Sequence, residues 1–254
     1  MNKLGALCFY QFKLQLRDYV NMFFVVAFPV LMFIIFGSIL DGLLHYDGIS
    51  NAIDYLLPSY IPIVITNTAV LIFGTLLVNH KEHNFFIKYK LLGFKPVHVA
   101  FALFFSVLIF QFLGIAALIL TAVLTNDIAL PINNLHNVLI IMITINIFQF
   151  ALAFFLSTVF NKSAVYQTVA LIIFYFQMFL GGMTFPPEMF TETITKMTEI
   201  FNPIIHGLYV IRGVWVEGKS ILDFPLEMMI LLGVSCGLLV LGSKLFNWNS
   251  LNTK

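Results

Sequence analysis

Six long stretches without a charged side chain constrain this chain more than any other feature of its sequence. Crossing roughly 30 Å of hydrocarbon takes about 20 apolar residues in a helix, and the six stretches lie near that length or beyond it. They cover residues 22–40, 56–78, 99–124, 138–160, 164–182 and 228–243. The sequence therefore predicts an all-α polytopic membrane protein, a single domain over residues 1–254 with six transmembrane helices, here called spans one to six.

The composition identifies the bilayer as the solvent for most of this chain. Apolar residues make up 60% of the 254 residues and charged residues only 10%, whereas a soluble domain carries about 25% charged residues. The net charge is +1, so the chain lacks the basic excess of a nucleic-acid-binding protein. We therefore exclude a soluble fold, and we expect membrane lipid but no nucleic acid as a partner.

The basic residues predict the orientation of the spans, because Lys and Arg in short loops are retained on the cytoplasmic side of a membrane. With six spans, both termini share one face. Placing that face in the cytoplasm puts 10 of the 13 basic residues inside and 10 of the 12 acidic residues outside. The sequence therefore predicts that both termini are cytoplasmic.

Residues 1–19 precede the first span and show a helical pattern. An apolar residue recurs every four positions at Leu4, Cys8, Phe12 and Leu16, while Lys13 and Arg17 lie on another face. This spacing predicts a helix that lies in the cytoplasmic interface. A frayed tail that leads into span one is the alternative.

The cytoplasmic segment of residues 80–97 is far longer than the reversal between two spans requires. It contains apolar residues, and Gly93 and Pro96 are typical of a helix stop. We expect a short helix exposed to a partner; a basic segment attracted to anionic lipid is an alternative that can hold at the same time. His80 and His83 have no third ligand nearby in the sequence, so we expect no metal.

The other long segment, residues 183–216, lies outside in this orientation. Pro186 and Pro187 suit the first turn of a helix, and the apolar spacing that continues to Phe201 predicts an amphipathic helix with Glu192 and Lys196 spaced for an ion pair. Residues 204–216 are then too short to span the membrane and favour a re-entrant or interfacial helix.

Inside the spans the sequence offers amides and hydroxyls but no charged side chain. An intramembrane enzyme or an ion-coupled carrier would need such groups at membrane depth, so the energy source lies elsewhere. The amides either line a substrate path or form hydrogen bonds between helices. The candidates for the path are Asn67, Asn146, Gln149, Gln167 and Gln177.

Residues 213–220 match the spacing of a phosphate-binding P-loop. A P-loop requires a buried strand before it and a helix after it in an α/β domain. Only 34 residues follow here, and they contain the last span. We therefore reject a nucleotide site and expect no catalytic residue and no cofactor in this chain.

The order of these parts resembles the membrane-spanning permease subunits of type-2 ABC exporters. The most specific motif is Gly181-Gly182-Met183-Thr184-Phe185-Pro186-Pro187, followed by Asn202-Pro203 and by Arg212-Gly213. Glu82, with Leu91-Leu92, Gly93 and Pro96 downstream, is similar to the coupling-helix loop of that family. The resemblance covers nearly the whole chain and implies two re-entrant helices between spans five and six.

The resemblance also implies partners and functional residues. Two cytoplasmic ABC ATPase subunits, which carry ATP and Mg, would drive this permease and a second copy or a related one. The residues expected to couple the chain to the ATPase are His80, Lys81, Glu82, Lys88, Tyr89, Lys90, Leu91, Leu92, Gly93 and Pro96. Those expected to form an extracellular gate are Gly181, Gly182, Phe185, Pro186, Pro187, Asn202, Pro203 and Arg212.

We therefore expect a permease in a bacterial-type cytoplasmic membrane that exports a hydrophobic or amphipathic substrate, such as a lipid, drug or antimicrobial peptide. Export of a lipid-linked polysaccharide is the rival within the family. A membrane scaffold or sensor without transport is the alternative of another class. In none of these is the chain itself an enzyme.

Overall fold

The computed structural model describes residues 3–44, 52–126, 130–185 and 187–246, and over these residues the chain is helical without a strand. The α-helices are α1 (Lys3–Leu16), α2 (Tyr19–Met22), α3 (Phe28–Leu44), α4 (Ala52–Thr66), α5 (Gly74–Glu82), α6 (Phe85–Leu91), α7 (Pro96–Asn126), α8 (Leu135–Val159), α9 (Ser163–Leu180), α10 (Glu192–Phe201), α11 (Ile204–Trp215) and α12 (Pro225–Leu245). Single 3-10 turns lie at Ile132–Asn134, Pro187–Met189 and Ile221–Asp223.

Six helical stretches among the described residues are long and apolar enough to cross a membrane, which confirms the predicted fold class. Span one contains α2 and most of α3, and span two contains most of α4 and all of α5; spans three to six consist mainly of α7, α8, α9 and α12. Their bounds are Tyr19–Ile39, Leu56–Glu82, Val97–Thr125, Ile132–Val159, Ser163–Leu180 and Pro225–Leu245.

A π-helical segment interrupts each of the first two spans, at Phe23–Ala27 and at Asn67–Phe73. In span one the segment ends just before Pro29, which has no N–H to donate to the carbonyl of Val25 one turn earlier. Gly114 of span three lies against that carbonyl, so closely that a Cβ there would be 2.7 Å from the Val25 oxygen. π-Helical turns are often found at functional sites.

Span two lies at the centre of the bundle. In its most apolar window 83% of the residues are buried, against 50% or less in the other spans. Leu56, Leu57, Tyr60 and Ile61 at its beginning are fully buried in the main apolar core. Spans one, three and four and helix α11 pack against it, and span six packs along span four.

Helix α1 packs across span three and confirms the helix predicted before span one. The side chains that face the protein are Leu7, Gln11 and Gln15, all buried, and Gln15 donates to the Ser106 hydroxyl over 2.6 Å. The apolar stripe identified in the sequence lies beside this face and is half-buried or exposed. The face of α1 that contacts the bundle therefore combines Leu7 with two glutamines, and Phe12 of the apolar stripe packs beside it against Phe110 of span three, with ring centroids 5.5 Å apart.

The segment between spans five and six contains α10 and α11. The prediction that the amphipathic helix begins at the two prolines is wrong, because Pro187–Met189 form a separate 3-10 turn and α10 begins at Glu192, after an extended Thr191. Pro186 lies outside the described residues. The predicted ion pair is confirmed, with Lys196 Nζ 2.6 Å from Glu192 Oε1. Helix α11 packs against spans two, four and six.

Candidate functional site

Helix α6 lies between spans two and three and is fixed to two other elements. Phe86 is buried, and the Tyr89 ring stacks on His80 with their centroids 6.1 Å apart and their planes 10° apart. Gln11 of α1 donates to the Tyr89 hydroxyl over 3.0 Å. Burial raises the pKa of the Tyr89 phenol, so it stays neutral. The sequence predicted the helix but gave no sign that α1 supports it.

Two residues in the left-handed region bracket α6. Asn84 has φ 57° just before the helix, and Gly93 has φ 83° just after it. The Gly93 N–H donates to the Lys90 carbonyl over 3.0 Å, which closes the helix in the way a C-terminal glycine commonly does. A Cβ at Gly93 would meet no atom within 4 Å, so the backbone conformation alone favours glycine there.

The face of α6 that points away from the bundle combines leucines with lysines. Leu91 is 84% exposed and Leu92 68% exposed, and Lys88, Lys90 and Lys95 beside them are exposed as well. We call these five residues the α6 surface. Adjacent large apolar side chains that are exposed outside the spans are typical of a protein-binding surface.

Two consecutive residues at the end of span two, here called the Lys81–Glu82 pair, connect α5 to the turn between spans four and five. Lys81 Nζ donates to the Ser157 carbonyl over 2.7 Å. Glu82 Oε2 accepts hydrogen bonds from the Ser163 N–H over 2.8 Å and from the Ser163 hydroxyl over 2.5 Å. Lysine thus meets the C-terminus of α8 and glutamate the N-terminus of α9, as the helix dipoles favour.

A family model for ABC-2 type transporters matches residues 2–216, from the beginning of α1 through α11. The chain belongs to the ABC-2 type transporter family. It is a permease component of an ABC transporter and not itself the ATPase, and permeases of this family typically work with an ABC ATPase partner. A search of curated proteins found no match.

The structure brings the predicted coupling residues of this ABC-2 permease to one end of the bundle, in two groups. His80 and Lys81 are buried, and Glu82 is exposed but bonded to Ser163. Tyr89 of α6 is half-buried. Pro96 is the first residue of α7, and the remaining residues are exposed: Lys88, Lys90, Leu91, Leu92 and Gly93.

Sequence reasoning missed the partners of the Lys81–Glu82 pair. Ser157 and Ser163 lie on either side of the turn that the sequence placed between spans four and five. A serine that follows a polar turn is a common helix start, and a glutamate is the side chain attracted to such a start. The signal for Ser163 was therefore present, whereas nothing in the sequence pointed to Ser157.

Two of the predicted path residues form hydrogen bonds with each other, and a third bonds to the backbone of another span. Gln149 of span four donates to Gln177 of span five over 3.0 Å, with both side chains buried. Asn67 Nδ2 donates to the Phe24 carbonyl over 2.7 Å and so links the two π-helical segments. Each of these three amides therefore takes part in a hydrogen bond between spans, the alternative left open by the sequence, but Asn67 Oδ1 and Gln149 Oε1 are buried without a partner among the described residues.

The other two predicted path residues lie elsewhere. Asn146 accepts from Gln111 over 2.8 Å, and Gln111 accepts from the Thr68 hydroxyl over 2.9 Å, so a polar chain joins spans two, three and four. Gln167 is exposed on span five. The substrate path through these five residues therefore stays a prediction.

The predicted gate residues meet where α11 packs against the end of span five. Arg212 is buried; its Nε donates to the Ser59 hydroxyl over 2.7 Å and its Nη2 to the Gly182 carbonyl over 2.8 Å. Gly182 has φ 75°, and a Cβ there would lie 2.6 Å from the Pro187 ring. The arginine therefore fixes the backbone of the Gly181-Gly182 turn.

The remaining gate residues surround this arginine contact. Phe185 packs edge-on against Phe36 of span one, with centroids 5.6 Å apart. Asn202 is buried beside Gly181, and neither atom of its amide has a hydrogen-bond partner among the described residues. Pro203 directly precedes α11. Gate residues from both sides of α10 therefore come together at this end of the bundle.

The P-loop-like residues 213–220 have no nucleotide-binding geometry. Helix α11 stands where a P-loop needs a strand. Lys219 is paired with Glu217 at 2.5 Å, and hydrogen bonding to that carboxylate raises the pKa of the Lys219 ammonium. Gly213 accommodates Phe224, whose ring would lie 2.3 Å from an added Cβ. These contacts are consistent with our rejection of a nucleotide site in this segment.

Proposed function

We propose that this permease is part of an ATP-driven exporter and that the α6 surface binds a cytoplasmic ABC ATPase subunit. The α6 end of the bundle and both termini then lie in the cytoplasm, and α10 and α11 lie outside. The observation that carries the proposal is the α6 surface itself, because its exposed leucines and lysines lie on a helix held rigidly by its opposite face. Apolar contact supplies affinity, and the lysines favour an acidic partner surface.

The Lys81–Glu82 pair gives the proposed ATPase a route into the membrane. A displacement of α6 moves the end of α5, because only two residues separate the helices. The bonds to Ser157 and Ser163 then transmit the displacement to the ends of spans four and five together. In this proposal Lys81 and Glu82 act inside the permease, and the α6 surface contacts the ATPase.

A second permease copy is supported by the exposed face of span five. Gln167 and Tyr175 are exposed there, and Thr168 is exposed as well, although its hydroxyl donates to the Ala164 carbonyl of its own helix. Exposed polar groups are unfavourable in lipid, so we place a second permease, identical or related, against this face. The substrate path then lies between two chains.

The substrate proposed for this exporter is hydrophobic or amphipathic, such as a lipid, a drug or an antimicrobial peptide. The amides inside the bundle support this choice, because Gln149, Gln177, Gln111 and Asn146 are bonded to one another in pairs. Of these four side chains, Gln149 alone has a buried amide oxygen without a partner among the described residues, so few amide groups remain for the hydroxyls of a glycan. Stimulation of ATP hydrolysis by an amphipathic peptide, but not by a lipid-linked glycan, is the expected result in reconstituted complexes.

The docking proposal is tested by placing a charge in the α6 surface. In Leu91→Asp, we expect the permease to lose its ATPase partner on copurification, because the aspartate removes apolar contact and reverses the local charge. Leu222→Asp is the matched control, since Leu222 is 83% exposed in the segment between α11 and span six. Equal retention of the ATPase by both variants contradicts the proposal, and a wild-type chain that purifies without any ATPase supports the scaffold alternative.

The orientation is tested by thiol labelling in intact cells. We expect a cysteine at Glu192 to react with an impermeant reagent added outside, and a cysteine at Lys88 to react only after permeabilisation, because the two residues lie on opposite sides of the membrane. Both positions are in helices outside the spans. The reverse pattern of labelling shows that the topology is inverted.

A further inference from the structure

A large apolar groove runs between spans three and four and reaches span six. Its volume is about 700 Å³, within the roughly 300–1,000 Å³ of known ligand pockets. Phe112 and Ile143 on its rim are 62% and 59% exposed, so the groove is open towards the hydrocarbon around the spans. Its floor includes Phe73 of the second π-helical segment.

The polar side chains that line the groove already form hydrogen bonds within the protein. Gln111 and Asn146 line it, but Gln111 bonds to Thr68 and to Asn146, and the Asn146 Nδ2 donates to the Met142 carbonyl over 2.9 Å. A polar solute would therefore find little to bind here. The occupant that suits this groove is a hydrocarbon chain.

The groove is longer than the hydrocarbon layer of one leaflet. It extends along span three from Val97 to Phe112, which is about 22 Å at 1.5 Å per residue. Half of the hydrocarbon core is about 15 Å thick. A lipid acyl chain of one leaflet, together with its glycerol end, fits this length.

A second cavity adjoins the groove at Phe101. It has a volume of about 370 Å³ and lies between α1 and span three, lined by Cys8, Phe12 and Phe105 among others. Phe101 borders both cavities, and its ring stacks on Phe105 with centroids 6.5 Å apart. Two neighbouring cavities on either side of one ring suit the two chains of a diacyl lipid.

The charges near the α6 end of the groove select the headgroup. Lys244 is exposed near the α6 end of span six, and Lys95, which also belongs to the α6 surface, is exposed two residues before Val97. Lysines near the membrane surface attract anionic lipid. We propose that the groove and the adjoining cavity bind one anionic diacyl phospholipid of the leaflet on the α6 side. Calling this leaflet cytoplasmic rests on the proposed orientation.

The proposal is tested by lipid retention. The full-length permease is reconstituted with equal amounts of dioleoyl phosphatidylglycerol and dioleoyl phosphatidylcholine, extracted in detergent, and its retained lipid is counted by native mass spectrometry. We expect one phosphatidylglycerol per chain, in at least five-fold excess over phosphatidylcholine. Ala100→Phe, which fills the groove, lowers this retention at least five-fold. Ala116→Phe is the matched control on the same helix, because Ala116 is exposed and does not line the groove.

A second variant shows whether the loss of lipid in the first comes from the filled groove or from a folding defect. Ile147→Trp fills the groove from span four at a position that is 41% exposed, and we expect the same loss of phosphatidylglycerol with unchanged elution in detergent. Retention unchanged in both filled variants, or equal retention of the two lipids by the wild type, overturns the proposal. A disulfide between copies carrying Ile143→Cys also overturns it, because a second copy then occupies the groove. Lipid retention is measured without an ATPase. Its outcome is therefore independent of the tests of export and orientation.

Discussion

Replacing Lys81 by methionine removes the bond that its ammonium makes with the end of span four, together with the weaker contact of the ammonium over the Phe246 ring at 5.8 Å. Methionine keeps an unbranched apolar stem but leaves the buried Ser157 carbonyl without the ammonium that donates to it over 2.7 Å. A hydrogen bond to a charged group contributes about 1.5–3 kcal/mol. The cost of burying the wild-type ammonium offsets part of this, so we expect a net loss of about 1–2 kcal/mol in the free energy of unfolding.

The loss is measured by titrating the purified permease from mild detergent into sodium dodecyl sulfate while following its helical circular dichroism. It corresponds to a change of roughly 5- to 30-fold in the ratio of folded to unfolded protein. Lys162→Met is the matched control, because Lys162 is exposed in the turn next to Ser163 and its loss is expected to stay within about 0.5 kcal/mol. Equal destabilisation by the two substitutions refutes the reasoning, since the Ser157 bond then contributes nothing beyond the loss of a positive charge.

Two further substitutions test the packing and the proposed coupling. Gly74→Ala places a Cβ 1.7 Å from the hydroxyl oxygen of buried Tyr166, so we expect a loss of about 1–3 kcal/mol in the same titration; Gly233→Ala, whose Cβ meets nothing within 4 Å, is expected to cause no loss. Glu82→Ala removes the acceptor at the start of span five, so ATP hydrolysis by the reconstituted complex should continue while transport per ATP falls. Unchanged transport per ATP in Glu82→Ala, with Glu217→Ala as the control, argues against the route through the Lys81–Glu82 pair.

The spans could be predicted from the sequence because hydrocarbon imposes a length and an apolar composition on every helix that crosses it. The contacts between spans could not, because they depend on the rotation of each helix. On α1 the apolar stripe from Leu4 to Leu16 was visible, yet Gln11 and Gln15 are the polar residues that face the protein. Their amides are buried because Tyr89 and Ser106 supply partners, and those residues are far away in the sequence.

For the predicted coupling residues, too, the sequence alone could not tell which side chains are buried and which are exposed. The sequence identified the segment around α6, whose composition alone is unusual between two spans. It could not separate Lys81, which is buried against Ser157, from Lys88 and Lys90, which are exposed. The three lysines have the same chemistry, and only the packing of α5 against α8 distinguishes the one inside the protein from those on its surface.

Span two combines the features that a mechanical link through this permease requires. Its α6 end bonds to spans four and five through the Lys81–Glu82 pair, and its middle bonds to spans one and three through Asn67 and Thr68. Those two middle bonds begin at its π-helical segment, where the α-helical hydrogen-bond ladder is interrupted. If α6 is displaced by the ATPase as we propose, the side-chain bonds of span two would connect that displacement to four other spans, and its π-helical segment lies at two of these connections, as is common at functional sites.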